Sequence, residues 1–128
     1  MEHKNMVATI YLKDGMAVKS PTDIDVRFDV IRLASLYDDS GVDKIICYDL
    51  SSTDEEHEKN LLAIREINRN IEIKTAGGGN IKRLEDVKKF LYAGCIEVIL
   101  NGSKPETIDL VKEAALRFGA NKILVSLS

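Results

Sequence analysis

Two short runs of small residues could do chemistry in this 128-residue chain: Gly77-Gly78-Gly79 and Asn101-Gly102-Ser103. Glycines let a backbone approach a phosphate closely and aim N–H groups at it beside a helix N-terminus. Each run is followed by a helical pattern. The plainer alternative is that Gly77 to Gly79 only turns the chain and Ser103 only caps a helix. Asp49 ends an apolar run, where an acid is costly unless it is solvated or used. Lys74 is odd in a strand that should be buried, and an exposed position explains it better than a phosphate contact. His3 is terminal and His57 sits in the charged first turn of a helix; neither has a metal-ligating neighbour at suitable spacing, so both are expected on the surface. Asp54-Glu55-Glu56 complements a helix dipole and is not an acid–base pair. No Ser-His-Asp or Cys-His pairing is evident, and neither a metal nor a cofactor is expected.

The elements that must position these residues alternate. Met6 to Leu12 reads as a strand. Val26, Val30, Leu33, Ala34 and Tyr37 form a helical stripe, with Asp25 as its cap and Gly41 as its stop. Lys44 to Asp49 is a second strand. Thr53 and Glu56 make a capping box for a helix to about Arg69 that buries Leu61, Ile64 and Ile67. Ile71 to Thr75 reads as a short third strand, directly before the glycines. Leu84, Val87, Phe90 and Leu91 line a third helix, stopped at Gly94. Ile96 to Leu100 is a fourth strand. Ser103 and Glu106 form another capping box, with Pro105 in the first turn. Ile108, Val111, Ala115 and Phe118 stripe the fourth helix, Gly119 ends it, and Lys122 to Leu127 is a fifth strand.

One phrase recurs where a helix stops and a strand begins: Gly41-Val-Asp-Lys-Ile-Ile, Gly94-Cys-Ile-Glu-Val-Ile and Gly119-Ala-Asn-Lys-Ile-Leu. A repeating unit of about 25 residues fits these copies. Strand–helix alternation at that period implies parallel strands with helical crossovers. Either an open doubly wound sheet or part of an eight-stranded barrel would suit it. Such a barrel takes about 250 residues, so this chain amounts to half. The expected fold is α/β: a (βα)4 half of a TIM-type barrel plus a fifth parallel strand, one half-barrel domain over residues 1–128, as a fragment or module of something larger. A bare sheet face and open edges then demand a second copy or the remainder of a longer chain.

Composition closes other routes. With 18 Lys+Arg against 21 Asp+Glu the net charge is −3, and no basic cluster invites nucleic acid or an anionic membrane. No stretch approaches the ~20 apolar residues of a membrane span. Met1-Glu2-His3-Lys4-Asn5 leads into an apolar run without a small-residue cleavage site, so no signal peptide is expected. Cys47 and Cys95 stand singly in apolar runs, as small core residues of a reducing cytoplasm do.

At the strand ends the sequence resembles a known family. Ala8-Thr-Ile-Tyr-Leu-Lys-Asp-Gly15, Asp49-Leu-Ser-Ser, Thr75-Ala-Gly-Gly-Gly and Asn101-Gly-Ser are similar, in order and spacing over nearly the whole chain, to the first half of the histidine-biosynthesis (βα)8 barrels. These comprise the cyclase subunit of imidazole glycerol phosphate synthase and the phosphoribosylformimino-aminoimidazole carboxamide ribotide isomerase. The resemblance implies a phosphate site at the turns after the third and fourth strands, which here are Gly77, Gly78, Gly79, Asn101, Gly102 and Ser103. It also implies two catalytic Asp positions, at the ends of strands one and five, and these are occupied by Tyr11 and Ser128. Tyrosine, with a pKa near 10, is a poor base at neutral pH. At the opposite end of the barrel, Lys44 and Glu97 look swapped in sign relative to the cyclase charges that face a glutaminase, so glutaminase docking does not carry over. More narrowly, Ile10-Tyr-Leu-Lys-Asp-Gly, Asp54-Glu-Glu-His and Gly79-Asn-Ile-Lys-Arg resemble the degenerate barrel that opens some long clostridial forms of the bifunctional phosphoribosyl-AMP cyclohydrolase/phosphoribosyl-ATP pyrophosphatase.

The expectation is therefore a histidine-pathway half barrel that binds a phosphorylated, ribotide-like ligand and serves binding and assembly without completing catalysis. The alternatives are an active cyclase or isomerase half completed by a partner, and a purely structural module.

Overall fold

The computed structural model describes residues 5–127. Seven strands form one sheet: β1 (Val7–Lys13), β2 (Met16–Ser20), β3 (Asp23–Phe28), β4 (Lys44–Asp49), β5 (Lys74–Gly78), β6 (Glu97–Asn101) and β7 (Ile123–Ser126). Four helices connect them: α1 (Val30–Asp39), α2 (Asp54–Asn70), α3 (Leu84–Tyr92) and α4 (Pro105–Phe118). The spatial order is β3-β2-β1-β4-β5-β6-β7. From β1 through β7 by way of β4, β5 and β6 every pairing is parallel. The expected five-stranded parallel half barrel with four crossover helices is what the chain forms.

Strand alternation splits the sheet into two faces. Ile10, Leu12, Ile45, Cys47, Val98 and Leu100 join one buried cluster with Ala34 of α1, Ile64 and Ile67 of α2, Val87 and Phe90 of α3 and Ala114 of α4. The alternate residues Tyr11, Ile46, Tyr48 and Ile99 stay half-exposed, and Leu124 is exposed. The helices thus cover one face, while the face that would line a closed barrel stays open. Among the described residues no helix is long and apolar enough to cross a membrane.

Three boundaries differ from the sequence reading, each for a local reason. Val26 and Asp25 do not begin a helix; both lie in β3, and α1 starts at Val30 with Asp29 as its cap, whose side chain accepts from the Arg32 N–H. The hairpin β2–β3 occupies the space the helical stripe had claimed. The signal lay one turn earlier, in Asp14-Gly15, which turns β1 into β2 by joining Lys13 to its partner Met16. Both residues have positive φ, 53° and 81°, as a tight two-residue hairpin turn requires. The third parallel strand runs from Lys74 to Gly78 rather than from Ile71 to Thr75; Ile71 instead closes α2, its N–H donating to the Ile67 carbonyl. Two of the glycines are therefore strand, not turn. Ser103 does not cap α4 either: Lys104 holds the N-cap position with no side-chain hydrogen bond.

Candidate functional site

The C-terminal ends of β1, β4, β5, β6 and β7 meet at one edge of the sheet. A cleft of about 440 Å3 opens there on the bare face. Its walls include Tyr11, Tyr48, Gly79, Asn80, Lys82, Ile99, Asn101, Lys104 and Ser126. Among the described residues no carboxylate lines it, and neither Lys82 nor Lys104 is paired with one. Two ammonium groups without a counter-ion make the cleft locally positive in a chain of net charge −3.

The glycines owe their identity first to packing. A β-carbon at Gly77 would enter the helix layer, 2.9 Å from Phe90 Cε1 and 3.1 Å from Cys95 Sγ. At Gly78 it would project to the open face, 3.2 Å from both Tyr48 Cε1 and Ile99 Cβ. Gly79, at φ 91°, lies against the backbone of Asp49, where a β-carbon would sit 3.0 Å from its nitrogen. At Gly102 it would collide with Val125 Cγ1. Of the six residues expected to hold phosphate, Gly79 and Asn101 line the cleft. The Gly102 N–H donates to Ser126 O at 2.7 Å, and the Ser103 N–H and Oγ both donate to Asn101 Oδ1, at 3.0 and 2.7 Å. The Gly102 amide is thus engaged by β7 and the Ser103 amide by its own turn. Lys82 and Lys104, which the sequence reading passed over, supply the cleft's cationic donors. Their signal was position alone: each follows a strand-end turn at the mouth.

Tyr11 reaches this cleft as expected, at the top of β1. Its register partner is Tyr48, and the two rings stack with centroids 5.8 Å apart and planes 16° from parallel. Ser128 lies outside the described residues, as does His3.

Asp49 takes another direction. It is 2 % exposed, turned to the helix layer and away from the open face. Its carboxylate accepts from the Ser51 N–H at 2.9 Å, from Asn60 Nδ2 at 2.7 Å and from His57 Nδ1. A carboxylate only accepts, so the proton of that last contact belongs to the imidazole. Asn60 also donates to Leu12 O at 3.0 Å and accepts from the Gly15 N–H at 2.7 Å. One buried cluster thus ties the turn after β1, the end of β4 and the first turns of α2. His57 is 8 % exposed, against the expectation of a surface position, and its Nε2 is buried with no partner among the described residues. Helical periodicity carried the clue, because His57 falls on the stripe of Leu61 and Ile64.

Asp54, Glu55 and Glu56 form the acidic first turn of α2 as read, with Thr53 Oγ1 accepting from the Glu56 N–H. Lys13 pairs with Glu56 at 2.5 Å, and that hydrogen bond, aided by the Ser52 N–H, holds the Glu56 carboxyl below its ordinary value. Lys74 is exposed, as expected. At the far end of the sheet Lys44 and Glu97 form an ion pair at 2.5 Å across β5. Among the described residues no group of three or more His, Cys, Asp or Glu is placed to hold a metal.

The profile of the family described as "Histidine biosynthesis protein" matches residues 5–128. The chain belongs to that family. Curated histidine-biosynthesis relatives agree. It is similar to the imidazole glycerol phosphate synthase subunit HisF of an Exiguobacterium strain, 31 % identical over 99 % of this chain and 51 % of the relative. The HisF subunit of Halalkalibacterium halodurans is 32 % identical over 97 % of this chain and 50 % of its own length. That of Metallosphaera sedula is 32 % identical over 99 % and 51 %. The chain spans about half the length of these relatives. It corresponds to the N-terminal half of the histidine-biosynthesis barrel.

Proposed function

We propose that this half barrel binds a phosphorylated, ribotide-like small molecule in the cleft at its strand ends and does not complete a cyclase or isomerase reaction by itself. The observation that carries the reading is the acid-free cleft with its two unpaired lysines, set at the edge where α/β barrels place their ligands. An anion there gains two charge-assisted hydrogen bonds with no carboxylate opposing it. Among the described residues the same cleft lacks a carboxylate base: Tyr11 stands where the family resemblance implies a catalytic Asp, and general acid–base groups typically contribute 10²–10⁴-fold each. The exposed inner face of the sheet supports an assembly, either a second copy or the remainder of a longer chain, in which this unit is one module. A cytoplasmic setting fits the two free, buried cysteines.

The test is an NMR titration of ribose 5-phosphate into ¹⁵N-labelled protein, with ribotide consumption followed by absorbance on the same sample. Saturable shifts are expected at residues 79–82 and 101–104, weakened about fivefold or more in Lys104→Ala, with no turnover. An absence of saturable shifts, or shifts gathered at the Lys44–Glu97 end, refutes the placement. Turnover that disappears in Tyr11→Phe refutes the loss of catalysis and identifies an active half completed by assembly.

A further inference from the structure

We propose that the cavity between the first turns of α2 and α3 is a second binding site, for a small zwitterion that carries an ammonium and a carboxylate on one short carbon frame, as an α-amino acid does. The cavity measures about 460 Å3 and lies on the helix side of the sheet, apart from the strand-end cleft. None of the nine described residues that line it is apolar. Such a space takes water or a polar solute. His57 selects the solute. It lines the cavity, is 8 % exposed, and its Nε2 is buried with no partner among the described residues. Its Nδ1 is turned to Asp49, which does not line the cavity. That bond to a carboxylate keeps the ring proton on Nδ1, so Nε2 of the neutral imidazole is a lone-pair acceptor. The occupant must therefore bring an N–H or O–H donor, which a bare inorganic anion does not.

Charge supplies the rest of the assignment. Asp54 and His57 stand three residues apart on α2 and are neighbours on one helix face. The Asp54 carboxylate has no ion-pair or hydrogen-bond partner among the described residues, although Lys82 and Arg83 line the same cavity. The Arg83 guanidinium stops 3.9 Å from Asp86 Oδ1, while Asp86 Oδ2 accepts from the Lys82 and Arg83 N–H groups at 3.0 and 3.1 Å. Arg83 thus keeps donors for a carboxylate, and its planar fork suits one. Opposite charges that face one cavity without meeting leave a place for a molecule carrying both signs. Its ammonium goes to His57 Nε2 and Asp54, and its carboxylate to Arg83. Lys82 also borders the strand-end cleft and is not needed here; His57, Asp54 and Arg83 line this cavity and not that one. The second site is therefore independent of the phosphate reading.

Three probes divide the occupant at about pH 8, where an ordinary imidazole is neutral: L-serine, L-glycerate, in which a hydroxyl replaces the ammonium, and ethanolamine, which lacks the carboxylate. In an NMR titration of ¹⁵N-labelled protein, L-serine should give saturable shifts at residues 52–57 and 82–86. It should bind about tenfold or more tightly than either of the other two, the scale of one charge-assisted contact. The His57 ring nitrogens, read in long-range ¹H–¹⁵N spectra, should move with L-serine while the proton stays on Nδ1. His57→Asn keeps a donor near the place of Nδ1 and removes Nε2, and should weaken L-serine about tenfold. Arg83→Gln and Asp54→Asn, at exposed positions, guard against a folding defect and should each weaken it by a similar factor. Lys104→Ala should leave it unchanged. Equal affinities for the three probes would overturn the zwitterion, and L-serine binding untouched by His57→Asn would overturn the role of Nε2. Shifts gathered at residues 101–104, or saturable binding of none of the three, would overturn the site. Each of these results leaves the response to ribose 5-phosphate as a separate measurement.

Discussion

Gly77→Ala isolates packing from ligand binding. The new methyl would lie 2.9 Å from Phe90 Cε1 and 3.1 Å from Cys95 Sγ, closer still to Phe90 Cδ1. Ordinary contacts between such atoms begin near 3.5 Å. Phe90 is fully buried, so its ring has no empty space to enter and must displace neighbours. Inserting one carbon into a filled core costs about 1–3 kcal/mol. For a domain of this size each kcal/mol corresponds to about 3–5 °C in Tm. Urea denaturation followed by circular dichroism measures the loss, with an unchanged m value showing that the unfolded state is not the cause. The partner variant Phe90→Leu removes Cε1 and lets Cδ1 turn aside. It should be destabilising alone, yet the double variant should be more stable than the two single losses predict, by about 0.5 kcal/mol or more. Gly77→Ala should leave phosphate affinity unchanged in the folded fraction, because the methyl points to the helix layer. A stability within 0.5 kcal/mol of wild type, or strictly additive losses, would refute the steric account. Intact stability with lost phosphate binding would return Gly77 to the ligand.

Two other expectations concern the buried polar and thiol groups. Asp49→Ala strands the donors of Ser51, Asn60 and His57 at once and should cost about 3–5 kcal/mol in urea denaturation, with most of that loss shared rather than added in an Asp49→Ala/His57→Ala double variant. Burial raises Cys95 from 9.0 to about 11, against an opposing hydrogen bond from Thr75, and burial also raises Cys47, with Cys95 adding to it. A thiol raised in the fold keeps its stabilisation below its unfolded value and loses it as pH climbs through the folded one. The unfolding free energy from urea denaturation should therefore fall between about pH 9 and pH 11, by on the order of 2–3 kcal/mol for Cys95. Cys95→Ala should flatten that slope, and an identical pH profile in the variant would refute the assignment.

The parallel frame was legible because three helix-stop phrases repeat and because each helix carries a clean apolar stripe. What escaped notice had a physical reason in each case. Val26 through Ala34 fits a helical period, yet Asp14-Gly15 is a stronger, local instruction that turns β1 into β2, and β3, pairing on β2, claims Val26 first. Gly77 and Gly78 are small and bare, so they read as a turn, although a central parallel strand tolerates such residues where a helix packs close, as Phe90 does on Gly77. His57 reads as surface by its charged setting, and only its position on the Leu61–Ile64 stripe shows that it is buried. The cleft was half legible: its edge and Tyr11 follow from strand ends, while Lys82, Lys104 and the Tyr11–Tyr48 register depend on pairings between distant strands.

The β2–β3 hairpin has a consequence for how the chain finds its structure. β1, β2 and β3 form a meander whose internal pairings are local, whereas every parallel pairing joins segments separated by a whole helix. Local pairings cost little loop-closure entropy and form early. Once Lys13 is joined to Met16 and Ser20 to Asp23, the segment between β1 and β4 is no longer a free tether but a pre-folded spacer with α1 at its end. Halving the effective length of a tether saves about 0.6 kcal/mol of closure entropy. The β1–β4 ladder, six register pairs from Val7–Lys44 to Leu12–Asp49, then nucleates on a shortened loop. The hairpin that disturbs the strand–helix rhythm at its start is thus placed to speed the first non-local step, and the later units add to an existing edge.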